Sequence, residues 1–259
     1  MSDAQHITSR DNPLLMRLRR LAQDGTAYRR VDQVWIEGDH LCGALRAHGG
    51  AALQAVISED AWEQPALREL AGWAAKVAIV PQALFKSISG LESPAGLGFV
   101  IELPPPLPID GAMASVVLDR LQDAGNVGSI LRSAAAFGAR QVLALKGTAA
   151  LWSPKVLRAG MGAHFGLRLV EGLDESALDA LRVPLVATSS HGGVNLPQSA
   201  LPAPCVWVLG HEGQGVSAAL LARCALTVRI PQPGGEESLN VAAAAAVCLY
   251  ESVRRMPGQ

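Results

Sequence analysis

The 259-residue chain has little of what redox or metal chemistry needs. It holds four cysteines, Cys42, Cys205, Cys224 and Cys248, far apart and each among apolar neighbours. No Cys-x-x-Cys pair and no Cys/His cluster is present, so no zinc ligand set is expected. Such cysteines read as reduced, buried small hydrophobes, as in a cytoplasmic protein. No apolar run reaches the roughly eighteen residues of a membrane-spanning helix. The opening Met1-Ser2-Asp3-Ala4-Gln5-His6 lacks the basic and then apolar pattern of a signal peptide. There is no Gly-x-Gly-x-x-Gly fingerprint and no Walker loop, which disfavours a nicotinamide-dependent oxidoreductase. Charged residues make up only 17% of the chain.

Apolar residues, at 49%, are ample for a core, and the length suits one large or two modest domains. The net charge of −1 is unevenly spread: residues 1–30 carry +3, residues 31–110 carry −6 and residues 111–259 carry +2. A basic arm on a neutral body points weakly to a polyanion and equally to a solvated surface helix. Leu14, Leu15, Leu18 and Leu21 mark one face of a helix that Asn12-Pro13 would start. Arg17, Arg19 and Arg20 lie off that stripe, and a polar segment ending in Arg29-Arg30 follows. Strands are expected at 34–36, 53–57, 77–80 and 97–101, with helices at 40–47, 62–75 and 83–87. That alternation predicts a small α/β unit with a largely parallel sheet. Leu103-Pro104-Pro105-Pro106-Leu107-Pro108 can continue neither element and predicts a boundary between domains at 1–108 and 109–259. The second half repeats the pattern. Strands are expected at 115–118, 141–145, 166–169, 185–188, 206–209 and 226–230, and helices at 126–137, 154–158, 175–181, 217–224 and 239–254.

Three stretches of the second half run from an apolar strand into a polar, glycine-bearing loop. Asp119 to Arg132 opens a helix with Asn126, Ser129 and Arg132 near its first turns. Val206 to Gly215 places three glycines around Glu212, with His211 read mainly as a polar neighbour. Val228 to Val241 carries Pro231, Pro233 and a glycine pair, then Glu237, Ser238 and Asn240 ahead of five alanines. Free N–H groups, a hydroxyl, an amide and a carboxylate would converge at that helix start, although Ser and Asn there are also ordinary caps. Strand ends of this kind are where open α/β sheets bind ligands.

The ordered trio Asn126-x-Gly128-x-x-x-Arg132, Gly210-x-Glu212-x-x-Gly215 and Ile230-Pro231 through Ser238-Leu239-Asn240-Val241 resembles the SpoU (TrmH) family of RNA ribose 2′-O-methyltransferases, of the SPOUT class. The opening Ile7 to Pro13 with Ile36-Glu37-Gly38 is similar to that family's L30-like substrate-binding extension. The resemblance implies an L30-like α/β domain followed by a SPOUT α/β domain with a parallel sheet, a trefoil knot and homodimerisation. It also implies S-adenosylmethionine as cofactor, no metal, and RNA as partner, with ribosomal favoured over transfer RNA. A non-catalytic RNA-binding or assembly protein is the reading from another class. Carried over by motif position, Asn126, Arg132, Glu212, Ser238 and Asn240 form the catalytic set. Thr188, Gly210, Ile230 and Leu239 contact the cofactor, and Arg10, Arg17, Arg20, Arg29 and Arg30 are candidates for RNA. The family's proposed base is the arginine of the first motif; a guanidinium that keeps its proton is better suited to clamping phosphate and stabilising a developing alkoxide. Gln232 and Ala242 depart mildly from the family pattern.

Overall fold

Local signals set the first elements. The Asn12 side chain accepts from the Leu14 N–H at 2.9 Å and Pro13 occupies the first helical position, so helix α1 (Pro13–Gln23) begins where its sequence indicates. It buries Leu15, Leu18 and Leu21. The structure, a computed structural model, describes residues 4–190, 192–234 and 238–256. The chain divides into two units. One takes the chain up to Pro105 together with Trp152–Phe165, and the other takes Pro106–Leu151 and the chain from Gly166 on.

The first unit carries a five-stranded sheet of β1 (Gln5–His6), β2 (Gln33–Glu37), β3 (Gln54–Ser58), β4 (Val77–Val80) and β5 (Leu97–Glu102), in the order β1-β4-β3-β5-β2. Its sheet is mixed rather than largely parallel. β5, reached from β4 through α6 (Gln82–Ile88) and residues 89–96, runs antiparallel to both β2 and β3. The remaining helices are α2 (Tyr28–Val31), α3 (Asp39–Ala47), α4 (Glu59–Trp62) and α5 (Pro65–Ala71). The single helix expected over 62–75 is therefore two. Ser58 caps the first by accepting from the Ala61 N–H at 3.3 Å, and Pro65 starts the second. Helix α8 (Pro154–Gly160) belongs to this unit and packs on α1 and β2.

The second unit is built on seven strands, β6 (Ser115–Asp119), β7 (Gln141–Leu145), β8 (Arg168–Leu173), β9 (Leu185–Thr188), β10 (Val194–Asn195), β11 (Val206–Gly210) and β12 (Leu226–Arg229). They lie in the order β10-β12-β9-β11-β6-β7-β8, and every neighbouring pair is parallel. Helices α7 (Ala124–Ala136), α9 (Ala218–Leu221) and α10 (Val241–Arg254) complete it. β6, β7 and β11 are buried throughout and read as short apolar runs, with the polar Ser115, Asp119 and Gln141 at the ends of β6 and β7. The strand expected at 166–169 begins two residues later, after a 3-10 turn at Ala163–Gly166, and extends to Leu173. Because all strands point the same way, the loops after β6, β9, β11 and β12 emerge at one edge. Chain order reverses at β6: β7 and β8 extend one side, and β9 and β11 return on the other. That is the place in an open parallel sheet where a crevice forms.

Gly98 tests the packing of the first sheet. A Cβ there would lie 2.2 Å from the Trp35 ring and 2.9 Å from the Ile36 carbonyl oxygen. Gly98→Ala should destabilise the protein by about 1–3 kcal/mol, the usual cost of overpacking a filled core. Urea unfolding would register this as a lower midpoint, and an unchanged midpoint would show that β2 and β5 yield without cost.

Candidate active site

The three polar stretches meet at the carboxyl edge of the second sheet. Glu212, in the loop after β11, accepts from the main-chain N–H groups of Gln122 at 3.2 Å and Asp123 at 3.1 Å. The same carboxylate accepts from Nδ2 of Asn126 at 3.3 Å. Oδ1 of Asn126 in turn accepts from Nδ2 of Asn240 at 2.9 Å. Oδ1 of Asn240 accepts from the N–H groups of Ala242 at 2.9 Å and Ala243 at 3.3 Å, which caps α10. The helix starts at Val241, two residues later than expected, because Asn240 is its cap rather than part of its first turn. Asp123 caps α7 by accepting from the Asn126 N–H at 2.7 Å.

Electrostatics follow from that geometry. Burial pushes the Glu212 carboxyl up, but the N–H groups of Glu212 itself, Asp123 and Gln122, with the Asn126 amide, outweigh it and hold the group below the usual carboxylate range. Glu212 is therefore ionised at neutral pH and only accepts. Asn126 and Asn240 each keep one amide N–H that this network does not use. Arg132 is exposed six residues further along α7, about 9 Å of helix rise. Among the described residues it has no hydrogen-bond or ion-pair partner. Ser238 is exposed just before the Asn240 cap, and Glu237 lies outside the described residues.

The loop that holds Glu212 is tightly built. A Cβ at Gly210 would come 2.1 Å from main-chain atoms of Gly215 and Val216, so the loop closes onto the end of β11 in a way only glycine permits. The Gly215 N–H donates to the His211 carbonyl at 2.8 Å. His211 Nδ1 accepts from the N–H groups of Gly213 at 3.0 Å and Gln214 at 3.3 Å. The imidazole thus braces its own turn.

The residues expected to contact a cofactor sit at the same edge. Thr188 ends β9 and donates its hydroxyl to the Val208 carbonyl at 3.5 Å; Gly210 ends β11; Ile230 follows β12. Leu239, 41% exposed, stands beside Asn240. The free edge of three adjacent strands, with a neutral hydroxyl and an exposed apolar side chain, fits a nucleoside. The cysteines do not join this site. Burial pushes the thiols of Cys205 and Cys224 up to about 11 and that of Cys248 to about 12. Among the described residues no His/Cys/Asp/Glu group is arranged to hold a metal ion.

The five candidate RNA-contacting arginines lie in the first unit. Arg20, Arg29 and Arg30 are exposed. Arg29 stacks over the Tyr28 ring at 5.4 Å, and Arg30 pairs with Asp24. Arg17 is half-buried, and the Arg10 carbonyl accepts from Arg19 at 2.9 Å. The sequence reading passed over Asp119, Arg120 and Gln214, which connect the loops after β6 and β11. The available signal was an Asp-Arg pair closing an apolar strand, inside a stretch already singled out for its asparagine.

Residues 113–250 match the SpoU rRNA Methylase family. An uncharacterized tRNA/rRNA methyltransferase of Synechocystis is 32% identical across 98% of this chain and 95% of its own length. The 23S rRNA (guanosine(2553)-2′-O)-methyltransferase RlmP of Bacillus subtilis is 30% identical across 83% and 86% respectively. Among solved structures, the SpoU methyltransferase AviRb of Streptomyces viridochromogenes in complex with AdoMet aligns with a TM-score of 0.86 and 26% identity, covering 96% of this chain and 100% of that one.

Glu212 also makes a pH prediction. Its folded-state pKa is depressed below the ordinary 4.5, so its contribution to stability is fully present above that value and is lost as pH falls through the folded pKa. Wild type should exceed Glu212→Gln in unfolding free energy at pH 7, and the gap should narrow on acidification toward pH 4. A gap independent of pH would mean that the carboxylate charge contributes nothing to the folded state.

Proposed function

The chain belongs to the SpoU rRNA methylase family, and from that premise we propose that it transfers a methyl group from S-adenosylmethionine to a ribose 2′-hydroxyl of ribosomal RNA. The observation that carries this reading is the unbroken line Glu212–Asn126–Asn240, which joins the three loops at the crevice and leaves one unused amide N–H on each asparagine. The name of the RlmP relative and the AdoMet bound to AviRb support the substrate and the cofactor.

Thr188, Gly210, Ile230 and Leu239 would hold the cofactor, whose sulfonium supplies an electrophilic methyl group. Asn126 and Asn240, fixed in orientation by their partners, direct amide N–H groups toward the ribose. Arg132 clamps an RNA phosphate and stabilises the alkoxide that develops on the 2′-oxygen. Ser238 closes the substrate side. Alignment of hydroxyl and methyl carbon supplies much of the rate. The first unit, an L30-like domain in this reading, presents Arg10, Arg17, Arg20, Arg29 and Arg30 to RNA. Each neutralised phosphate would then add roughly one unit to the slope of log affinity against log salt.

In the same reading the catalytic domain is a trefoil-knotted SPOUT domain that follows the proline-rich linker and forms a homodimer. Exposed Leu239, Val247, Tyr250 and Met256, in and beside α10, support such an interface. Among the described residues no helix is long and apolar enough to cross a membrane. Acting on ribosomal RNA of the bacterial kind, as the RlmP relative is named to do, the protein would work in the cytoplasm.

The direct test incubates the protein and labelled S-adenosylmethionine with total RNA and ribosomal subunits from cells lacking the gene. Label in a 2′-O-methylnucleoside of ribosomal RNA is expected. Label in the transfer-RNA fraction would keep the chemistry and overturn the substrate, and bound cofactor without label in any fraction would favour an assembly protein. Arg132→Lys keeps the charge but loses the planar fork. It should lower the single-turnover rate about 100-fold, the scale of a lost transition-state donor. A rate within twofold of wild type would remove Arg132 from the mechanism.

A further inference from the structure

We infer that Asp119 and Arg120 form a positioning clamp that sets Glu212, and through it Asn126, for methyl transfer; the inference rests on the reading just given. Asp119 is the last residue of β6, level with Gly210 in the neighbouring strand, and is 1% exposed. A carboxylate so buried is costly unless it is paired. Its partners all lie at the catalytic edge. Arg120 turns into the left-handed region, with φ of 59°, and its guanidinium doubles back onto Asp119, with Nε at 2.8 Å and Nη2 at 3.3 Å. The carboxylate also accepts from the Ser217 N–H at 2.7 Å, at the cap of α9. The remaining arm of the guanidinium, Nη1, donates to Gln214 Oε1 at 3.0 Å.

The loop from Gly210 to Ser217 is thereby fixed at its base by pairing with β6, at its tip by Arg120 and at its exit by Asp119. Glu212 sits between these points. It grips the loop after β6 from the other side, through the Gln122 and Asp123 N–H groups. Room for the stem of the Arg120 side chain is kept by Gly147, where a Cβ would lie 3.2 Å from Arg120 Cγ. Non-glycine residues enter left-handed backbone at a cost, and such conformations persist where surrounding contacts impose them. Here the imposed turn lets one side chain bridge two catalytic loops. A lysine at 120 could not do the same, since one ammonium cannot replace a fork that reaches the carboxylate through Nε and Nη2 and Gln214 through Nη1.

The clamp touches neither RNA nor cofactor in this account, so its effect should run through Glu212. Full-length Arg120→Met should lower single-turnover methyl transfer roughly 10- to 100-fold, the penalty of a misplaced catalytic group, with the Kd for S-adenosylmethionine within about twofold of wild type. Gln214→Ala removes only the exposed end of the clamp. It should give a smaller loss of the same kind, and it serves as the test if Arg120→Met fails to fold. In a Glu212→Ala background either substitution should have little further effect. An equal loss in both backgrounds, or a loss that appears only as weaker cofactor binding, would overturn the clamp. Absence of methyl transfer by the wild-type protein would instead overturn the reading on which it rests.

Discussion

Glu212 is ionised, so it can only accept hydrogen bonds, and that one-sidedness orders the groups around it. The Asn126 amide must present Nδ2 to the carboxylate, which leaves Oδ1 facing away. Asn240 must then donate through its own Nδ2, and its Oδ1 is left for the N–H groups that open α10. One charge thus fixes two amide orientations and a helix cap across loops 86 and 114 residues apart in sequence. The unused N–H on each amide is a donor, and the Arg132 guanidinium further along α7 is another. A crevice edged by donors and by the N-terminus of a helix favours an anion or an oxygen that gains negative charge.

The parallel sheet makes this convergence possible. Each strand needs a crossover to return in the same direction, and each crossover starts at the same edge. Sequence segments around 120, 212 and 240 would be scattered in an antiparallel meander; here each leaves the carboxyl end of a strand. Between β6 and β11 the neighbouring crossovers run to opposite sides and the edge stays open. Gly210 and Gly147 then let main chain and the Arg120 side chain approach closely where a Cβ would intrude.

Much of this was legible beforehand because the determinants are local. Asn12-Pro13, Ser58 and Pro65 act within one helical turn, and the buried strands β6, β7 and β11 declare themselves as apolar runs. The motif residues were readable by resemblance, but their connections were not. No local signal shows that Glu212 grips Asn126 and the loop after β6, or that Asp119 reaches Ser217 across 98 positions. The mixed order of the first sheet was missed for the same reason: alternation of strands and helices does not say which edge a strand joins. Helix α8 lies within the sequence of the second unit yet packs in the first, a partition that depends on long-range contacts alone.

The same hydrogen bonds bear on how a ribose hydroxyl loses its proton. Glu212 is the carboxylate that accepts from the Asn126 amide, but the donors that keep it ionised also make it a poor base. His211 has Nδ1 occupied by two N–H groups, so in its neutral form the proton resides on Nε2 and the ring has no free acceptor. Asp123 uses Oδ1 on the N–H of Asn126. Arg132 carries a guanidinium that does not deprotonate in proteins. Among the described residues, Glu212, His211 and Arg132 can orient the hydroxyl and lower the energy of its alkoxide, yet none of these three is poised to take the proton. In the proposed reaction water or an RNA phosphate oxygen takes the proton. Catalysis then depends on stabilising the charge left behind, which is what a donor-lined edge does best.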